Sequence, residues 1–442
     1  MRTDEREELL SVATATLDRA PGGQAEVIAV QQTQQLTRFA GNVVHQNVAE
    51  SSLELRVRII ANSRVGVAQL RGEVPDAETR VVQAAEQARS FASESDPSPL
   101  PEPDGAGEVA AAFSEATESA SPEDRARVAG LVIAAAEQQG VEAFGSVSTR
   151  TTRTAIVNSN GVRRHAATTQ ASVITVVRGE DGAGYAAGHS ADFGDIDAAA
   201  VGREAVDTCV RNQHAGAVEP GLYEVVLTPY AVTDVVEHLS WMGFSALAKQ
   251  EQRSFMRPGR RLMSETVTIA DDPADPGSFP FPFDLEGVSS RRVTSIDHGV
   301  CAGFLYDTPT ARRDGVSSTG HSLPQPNTYG PYARHLVMEA GDASRDELIA
   351  SVRRGLLVTR LWYVRDVHPL RTIITGMTRE GTFLIENGRI GRPVRDLRFT
   401  QSIVDALDDV RGVSRERGLA LGEDESAVLT PWLHLGHFAF TS

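Results

Sequence analysis

The chain has 442 residues, and at about 150 residues per domain this length predicts two or three domains. It carries 43 Lys and Arg residues against 59 Asp and Glu residues, a net charge of −16. That balance argues against a nucleic-acid-binding protein and against binding to anionic membranes. The two cysteines, Cys209 and Cys301, are too few for a disulfide framework or a four-cysteine zinc site.

The amino terminus is charged and lacks the apolar stretch of a secretory signal peptide. The sequence also has no run of about 18 apolar residues of the kind that spans a membrane. We therefore expect a cytoplasmic protein that does not cross or bind a membrane.

The first part of the chain alternates helices and strands. Apolar residues at helical spacing predict a first helix that ends before Pro21. Residues 52–59 alternate apolar and charged side chains and predict a half-buried strand, and residues 77–92 predict a second helix. The segment 93–108 is rich in proline, serine and acidic residues, which is typical of a linker or a long surface loop.

The next helix has clear capping signals. Ser121 is a typical N-cap residue and Pro122 fits the first helical position. Residues 142–190 predict antiparallel strands with a hairpin turn at 158–161, and a helix near 195–211 follows.

A second unit is predicted to begin at Gly221. A strand at 223–227 leads into a helix that is expected to run to about residue 250. The remainder reads mostly as short strands, with helices near 344–353 and 401–411. The predicted fold class is α+β, with an α/β N-terminal domain over 1–220 and a β-rich C-terminal domain over 221–442.

The helix after strand 223–227 carries the polar residues with the clearest chemical potential. Asp234 and His238 are four residues apart, so the carboxylate could orient the imidazole. Glu237 lies on the same predicted face, opposite an apolar face that includes Met242. Three interpretations are open for this face: a solvated surface, a subunit contact, or a ligand or catalytic site built on His238.

A second set of metal-ligating residue types lies further along the chain. His298, Cys301 and His321 are plausible zinc ligands, although their spacing matches no standard zinc motif. The other interpretation is a histidine in a turn and a small buried thiol.

Residues 376–388 form a strand–turn pattern, with a strand at 382–385 and a turn at 386–388. Thr378 and Arg379 within it are the candidates for substrate binding, by contact with a backbone or with a substrate; the other interpretation is a purely structural hairpin.

Five segments together resemble the TldD/PmbA family of peptidases. They are YEVVLTP (223–229), DHGVCAG (297–303), ARRDGVSSTGH (311–321), GLLVT (355–359) and GTFLIENG (381–388). The resemblance covers nearly the whole chain and implies an α/β N-terminal domain and a barrel-like C-terminal domain. It also implies two kinds of subunit: a TldD type that binds zinc through His-Glu-x-x-x-His, and a PmbA/TldE type that lacks this motif and pairs with TldD.

This sequence is similar to the PmbA/TldE type. Alignment on the following glycine places Glu237, His238 and Met242 where the TldD type has His, Glu and His. A methionine is a poor zinc ligand beside oxygen and imidazole groups. No catalytic residue and no metal ligand is therefore assigned to this chain.

The resemblance implies a heterodimer in which a TldD-like partner holds the zinc and the two subunits enclose a chamber that cleaves unfolded or flexible peptides. In that assembly this chain would supply chamber wall and substrate binding. One alternative is a self-sufficient metal-dependent hydrolase that uses His238 with His298, Cys301 or His321. A further alternative is a binding or maturation protein, or a subunit recruited to natural-product maturation.

Overall fold

The computed structural model describes residues 3–72, 74–105 and 109–442. The segment 93–108 is predicted to be a linker or a long surface loop, and residues 93–105 form no helix or strand. Residues 106–108 lie outside the described residues. Over the described ranges, every helix is too short or too polar to cross a bilayer.

The N-terminal half forms one six-stranded sheet flanked by helices. Its elements are α1 (Thr3–Leu17), β1 (Gln24–Ala40), β2 (Val43–Ala61), β3 (Arg64–Arg71), α2 (Ala77–Phe91), α3 (Glu115–Glu118), α4 (Pro122–Gln138), β4 (Glu142–Asn158), β5 (Arg163–Arg178), β6 (Ala183–Ser190) and α5 (Ala198–Arg211). The strand order is β3-β2-β1-β4-β5-β6, and all neighbours are antiparallel.

The strand predicted at 52–59 is the inner half of β2. Leu55, Val57 and Ile59 are buried, and Val57 lies opposite Val27 of β1. Helices α1 and α2 pack on this end of the sheet, and α4 and α5 pack on the β4–β6 end. The alternation in sequence thus corresponds to one buried face of the strand.

The predicted start of α4 is confirmed. The Ser121 hydroxyl accepts a hydrogen bond from the Asp124 amide at 3.1 Å, and the Asp124 carboxylate accepts one from the Ser121 amide at 3.0 Å. Pro122 occupies the first turn, where its missing N–H costs nothing.

The C-terminal half contains a second, larger sheet. Its elements are β7 (Gly221–Leu227), α6 (Pro229–Leu239), α7 (Ala246–Gln250), β8 (Ile269–Asp271), β9 (Val293–Asp297), β10 (Val300–Cys301), α8 (Thr308–Asp314), β11 (His335–Met338), α9 (Arg345–Ser351), β12 (Arg354–Val358), β13 (Leu361–His368), β14 (Ile373–Thr378), β15 (Thr382–Glu386), β16 (Arg389–Pro393), β17 (Arg398–Ser402), α10 (Ile403–Asp408), β18 (Val410–Leu421) and β19 (Ala427–Phe440).

This sheet branches at β19. The main path runs β10-β9-β8-β11-β19-β7-β12-β15-β16, and β18 and the β17-β14-β13 arm also attach to β19. The arrangement is barrel-like only in a loose sense, since within residues 221–442 the strands form a branched sheet and no closed barrel. The α+β class is confirmed, and the domain division at residue 220 stays a prediction.

The prediction of a single helix from strand 223–227 to about residue 250 is wrong. Helix α6 ends at Leu239, a π-helical turn covers Ser240–Phe244, and Ser245 is extended before α7 begins. The break occurs because Phe244 and Ala246 exchange backbone hydrogen bonds with Leu305, each at 2.9 Å. Pairing with that segment replaces helical hydrogen bonds.

Contacts between the two halves place α6 against the N-terminal sheet. The Tyr230 hydroxyl lies 3.1 Å from both the amide nitrogen and the carbonyl oxygen of Ala187 in β6. A buried ion pair joins Arg58 of β2 to Glu286 at 3.2 Å. The Tyr230 contact holds the start of α6 against β6, and the ion pair joins the N-terminal sheet to the segment between β8 and β9.

Candidate functional site

Helix α6 is anchored at its start and packed along one face. The Thr228 hydroxyl donates a 2.5 Å hydrogen bond to the Thr359 carbonyl, and Pro229 occupies the first turn. The predicted apolar face is buried in the main C-terminal core, and its members are Val232, Val235, Val236, Leu239, Met242 and Ala246. The helix is therefore held rigidly by its core face.

The polar face of α6 is also largely covered by this chain. Glu237 is 1% exposed and His238 is 2% exposed. The expectation of a solvated face is wrong for these two residues, because β13 and the loop between β18 and β19 pack over them. Buried ionisable groups need partners, and those partners define the site.

His238 is hydrogen-bonded at one ring nitrogen and faces a carboxylate with the other. Its Nδ1 atom donates to the main-chain oxygen of Asp234 at 2.8 Å, and its Nε2 atom lies 3.8 Å from Oδ1 of Asp366. The ring also lies 4.9 Å from the ring of Trp241. The expectation that the Asp234 carboxylate orients this imidazole is wrong, since only the Asp234 backbone does so.

Glu237 points toward the loop between β18 and β19. Its Oε1 atom accepts a hydrogen bond from the Glu423 amide at 3.0 Å. Burial, together with the negative charges of the neighbouring Asp424 and Asp234, raises the pKa of Glu237 to about 8. Burial likewise raises the pKa of Asp234 to about 7.

Met242, the third residue of the aligned set, belongs to the core. It is 2% exposed and packs in the same apolar cluster as Leu239 and Phe244. The following Gly243 is required by packing, because a Cβ atom there would lie 2.2 Å from the Phe255 ring.

The structure separates the second set of predicted ligands by environment. His298 lies in the exposed turn between β9 and β10, where its Nδ1 atom is 2.7 Å from Asp297. Cys301 is a fully buried thiol whose pKa is raised by burial. His321 is buried and its Nε2 atom lies 3.1 Å from Oδ1 of Asp271. This outcome matches the interpretation as a turn histidine and a buried thiol.

The sequence analysis did not identify Asp271, which is the acidic partner of His321 and His335. Burial by itself would raise the pKa of Asp271, but the imidazoles of His321 and His335 bring it well below its usual range. Its Oδ2 atom also accepts the amides of Arg334 and His335. Across the described ranges, no three His, Cys, Asp or Glu side chains are arranged to hold a metal ion.

The turn predicted at 386–388 connects β15 to β16, with Asn387 and Gly388 both at positive φ. Thr378 is fully buried, and its hydroxyl accepts a hydrogen bond from the Leu397 amide at 3.0 Å. Arg379 is partly exposed; its guanidinium lies over the Trp362 ring and bonds Glu380 at 3.0 Å. Substrate contact by Thr378 and Arg379 stays a prediction.

A cavity of about 340 Å³ lies beside the polar face of α6, and we name it the α6 cavity. Three segments line it. They are α6, through Tyr230, Thr233, Asp234 and Glu237; residues 360–365, which are Arg360 and the first part of β13; and residues 420–423, at the end of β18 and the start of the loop after it. The β13 and loop residues were missed because they are remote in sequence from α6. The acidic stretch 423–425 was the one sequence feature that could have indicated the loop part of this lining.

Comparison with known proteins agrees with this fold. The sequence matches the family profiles described as PmbA/TldA metallopeptidase central domain, over residues 97–213, and PmbA/TldA metallopeptidase C-terminal domain, over residues 220–442. The fold is similar to the crystal structure of TldE from Thermococcus kodakarensis, with a TM-score of 0.87, 19% identity and 99% of each chain covered.

Curated relatives show the same similarity at the sequence level. A metalloprotease from Methanothermobacter thermautotrophicus is 28% identical over 61% of each chain. A metalloprotease TldD homolog from Haemophilus influenzae is 28% identical over 52% of this chain and 48% of its own. The match thus spans about half to three-fifths of the length of these relatives. Because the C-terminal profile alone covers half of the sequence, the chain belongs to the TldD/PmbA family of metallopeptidase-like proteins.

Proposed function

We propose that this chain is the non-metal, PmbA/TldE-like subunit of a TldD/TldE-type metallopeptidase complex. The complex would act in the cytoplasm on unfolded or flexible peptides. A TldD-like partner would hold the zinc ion, and this chain would complete the chamber and bind the peptide.

The observation that carries the proposal is the state of the three residues aligned with the zinc motif, Glu237 and His238 of α6 and Met242 in the π-helical turn that follows it. A catalytic zinc ion takes three protein ligands and an open position for water. Here Met242 is core, His238 uses Nδ1 to bond the Asp234 backbone, and Glu237 accepts the Glu423 amide. These residues do not fit a zinc ion, so no catalytic step is derived through one in this chain.

The chemistry of peptide hydrolysis then belongs to the partner. Zinc supplies a Lewis acid and activates a bound water molecule. This chain contributes by holding a flexible peptide in place, which lowers the entropic part of the barrier. Of the two residues predicted to contact substrate, the partly exposed Arg379 is the better placed, because the Thr378 hydroxyl is occupied by the Leu397 amide.

The test is steady-state cleavage of a flexible peptide by this chain, by a TldD-type partner, and by the mixture. The mixture should cleave and this chain alone should not. Co-purification should show a complex, since a stable interface buries at least about 1,200 Å². A strict monomer in the presence of the partner contradicts the proposal.

Substitutions made in this chain, with the partner unaltered, show which subunit carries the catalytic groups. His238→Ala or Glu237→Ala should leave the activity of the mixture within roughly tenfold, whereas loss of a true acid–base group costs about 10²–10⁴-fold. Near-complete loss with His238→Ala in an assembled complex would show that this subunit carries catalysis.

A further inference from the structure

Two acidic side chains of the α6 cavity, Asp234 and Glu237, form no ion pair with an arginine or lysine of the described residues. The hydrogen bond from His238 goes to the backbone oxygen of Asp234, and none of the described residues donates a hydrogen bond to the Asp234 carboxylate. Glu237 receives only the neutral amide of Glu423. Carboxylates in a partly closed cavity are costly unless a positive charge or further donors compensate them.

The basic groups at the cavity are already paired elsewhere. Arg360 bonds Glu380 at 2.5 Å, and its guanidinium is stacked between the rings of Tyr185 and Trp362, at 4.0 and 4.8 Å. Arg365 bonds Glu423 at 2.7 Å. Both arginines are therefore paired with other acids, and Arg360 acts on Asp234 through its charge, which opposes the rise in the pKa of Asp234.

The remaining titratable groups near the cavity do not supply the missing charge. Asp424 adds negative charge next to Glu237, and His238 turns its Nε2 atom toward Asp366. Tyr230 and Tyr185 are phenols whose pKa values are raised by burial, so they are neutral. When Asp234 and Glu237 ionise, the described residues of the α6 cavity thus offer them no cation that is not already paired.

A buried hydroxyl in the same wall also lacks a partner. Thr233 is 4% exposed and lines the cavity next to Asp234, and its Oγ1 atom has no hydrogen-bond partner among the described residues. The opposite wall is formed by Trp362 and Tyr363 together with apolar side chains of β13 and β18. An aromatic and apolar wall suits the hydrocarbon part of a ligand and attracts a cation.

We propose that the α6 cavity binds a primary ammonium group on a short organic chain, either the side chain of a peptide lysine or a peptide amino terminus. An ammonium group has three donors, which match the Asp234 carboxylate, the Glu237 carboxylate and the Thr233 hydroxyl. About 340 Å³ accommodates its carbon chain. A bare metal ion suits the cavity less, because two carboxylates and a hydroxyl make an incomplete ligand set.

The cavity is lined by residues of this chain, so ammonium binding can be tested without a metal-bearing partner. Burial raises the pKa values of Asp234 and Glu237, and a bound ammonium group would favour their ionised forms. Failure of complex formation would leave this proposal intact, and failure of ammonium binding would leave the proposed function intact.

The experiment is calorimetric titration of the purified full chain at pH 7.5 with two matched pairs of probes. One pair is the acetylated methylamide of lysine and the same derivative of norleucine, which has the same carbon chain without the charge. The other pair is alanyl-alanine amide with a free amino terminus and its acetylated form. At least one amine should bind tenfold or more tightly than its uncharged analogue, and the pair that discriminates identifies the source of the ammonium.

Asp234→Asn and Glu237→Gln keep the side-chain shape and remove the charge, so each should weaken binding of the preferred amine at least fivefold. Glu50→Gln, at an exposed site on β2, makes the same change in net charge and should leave binding unaltered. Equal binding of both members in both pairs overturns the proposal, as does undiminished binding by both cavity variants. The probe pairs on the unaltered chain decide the question even where a variant fails to fold.

Discussion

The Nε2 atom of His238 lies 3.8 Å from Oδ1 of Asp366, on a strand far along the chain from α6. Burial raises the pKa of Asp366, and the nearby His238 opposes that rise. With Nδ1 bonded to the Asp234 backbone, the imidazole links α6 to β13. A side chain that contacts both elements in this way has a structural role.

Glu237→Gln should reduce the pH dependence of stability. The folded chain raises the pKa of Glu237 from 4.5 to about 8, chiefly by burial, so it holds this proton more tightly than the unfolded chain does. The resulting stability is complete below pH 4.5 and is lost as the pH rises through about 8. Since each pKa unit corresponds to about 1.4 kcal/mol, the full loss should be on the order of 5 kcal/mol.

Urea unfolding at pH 5.5 and pH 9 measures this difference. The unaltered chain should lose stability between the two values, and Glu237→Gln should lose roughly half as much, because Asp234 contributes with the same sign. The double variant with Asp234→Asn should show the flattest profile. An unchanged pH difference in both variants would contradict the burial of these protons.

The purified chain should contain no stoichiometric zinc. Of the three residues aligned with the zinc motif, Met242 lies in the apolar core, the His238 imidazole bonds a backbone oxygen, and the Glu237 carboxylate accepts a backbone amide. Elemental analysis of protein prepared without chelators is the measurement, with a TldD-type partner prepared in the same way as the positive control. One tightly held zinc ion per chain would instead favour a self-sufficient metal-dependent hydrolase.

Met242→Ala should lower the free energy of unfolding by about 2–5 kcal/mol, because it leaves a cavity among closely packed side chains. Met242→Leu nearly conserves volume and should cost less than about 1.5 kcal/mol. Urea denaturation at a single pH compares the two variants. If alanine were tolerated as well as leucine, Met242 would not be the core residue that its burial indicates.

Gly243→Ala should destabilise the chain by roughly 1–3 kcal/mol, since the added Cβ would lie 2.2 Å from the Phe255 ring. Gly130→Ala is the matched control, because Gly130 lies within α4 with nothing within 4 Å of its Cβ position. That change should stabilise by up to about 1 kcal/mol through helix propensity. Thermal unfolding of both variants is the measurement, and equal effects would argue against the close packing at the π-helical turn.

Features that depend on neighbouring residues in sequence were predictable. Ser121 and Pro122 mark the start of α4 because capping and the missing proline N–H act within one helical turn. The buried face of β2 follows from the period of two at Leu55, Val57 and Ile59. The order and spacing of the five short segments were enough to indicate the family, which the domain profiles confirm.

Features that depend on which segments meet in space were decided by the tertiary structure. Pairing with Leu305 breaks the helix after Leu239, although the apolar period continues through the break. Asp366 rather than the Asp234 carboxylate faces His238, because β13 lies over α6.

The burial of Glu237 has the same origin. Its helix position allows either solvent or interior, and the β18–β19 loop encloses it by donating the Glu423 amide. By itself the sequence determined the local elements, the apolar face of α6 and the absence of a His-Glu-x-x-x-His motif. Only the folded chain decided how the polar face is enclosed, since hydrogen bonds and burial there come from residues that the helix does not contain.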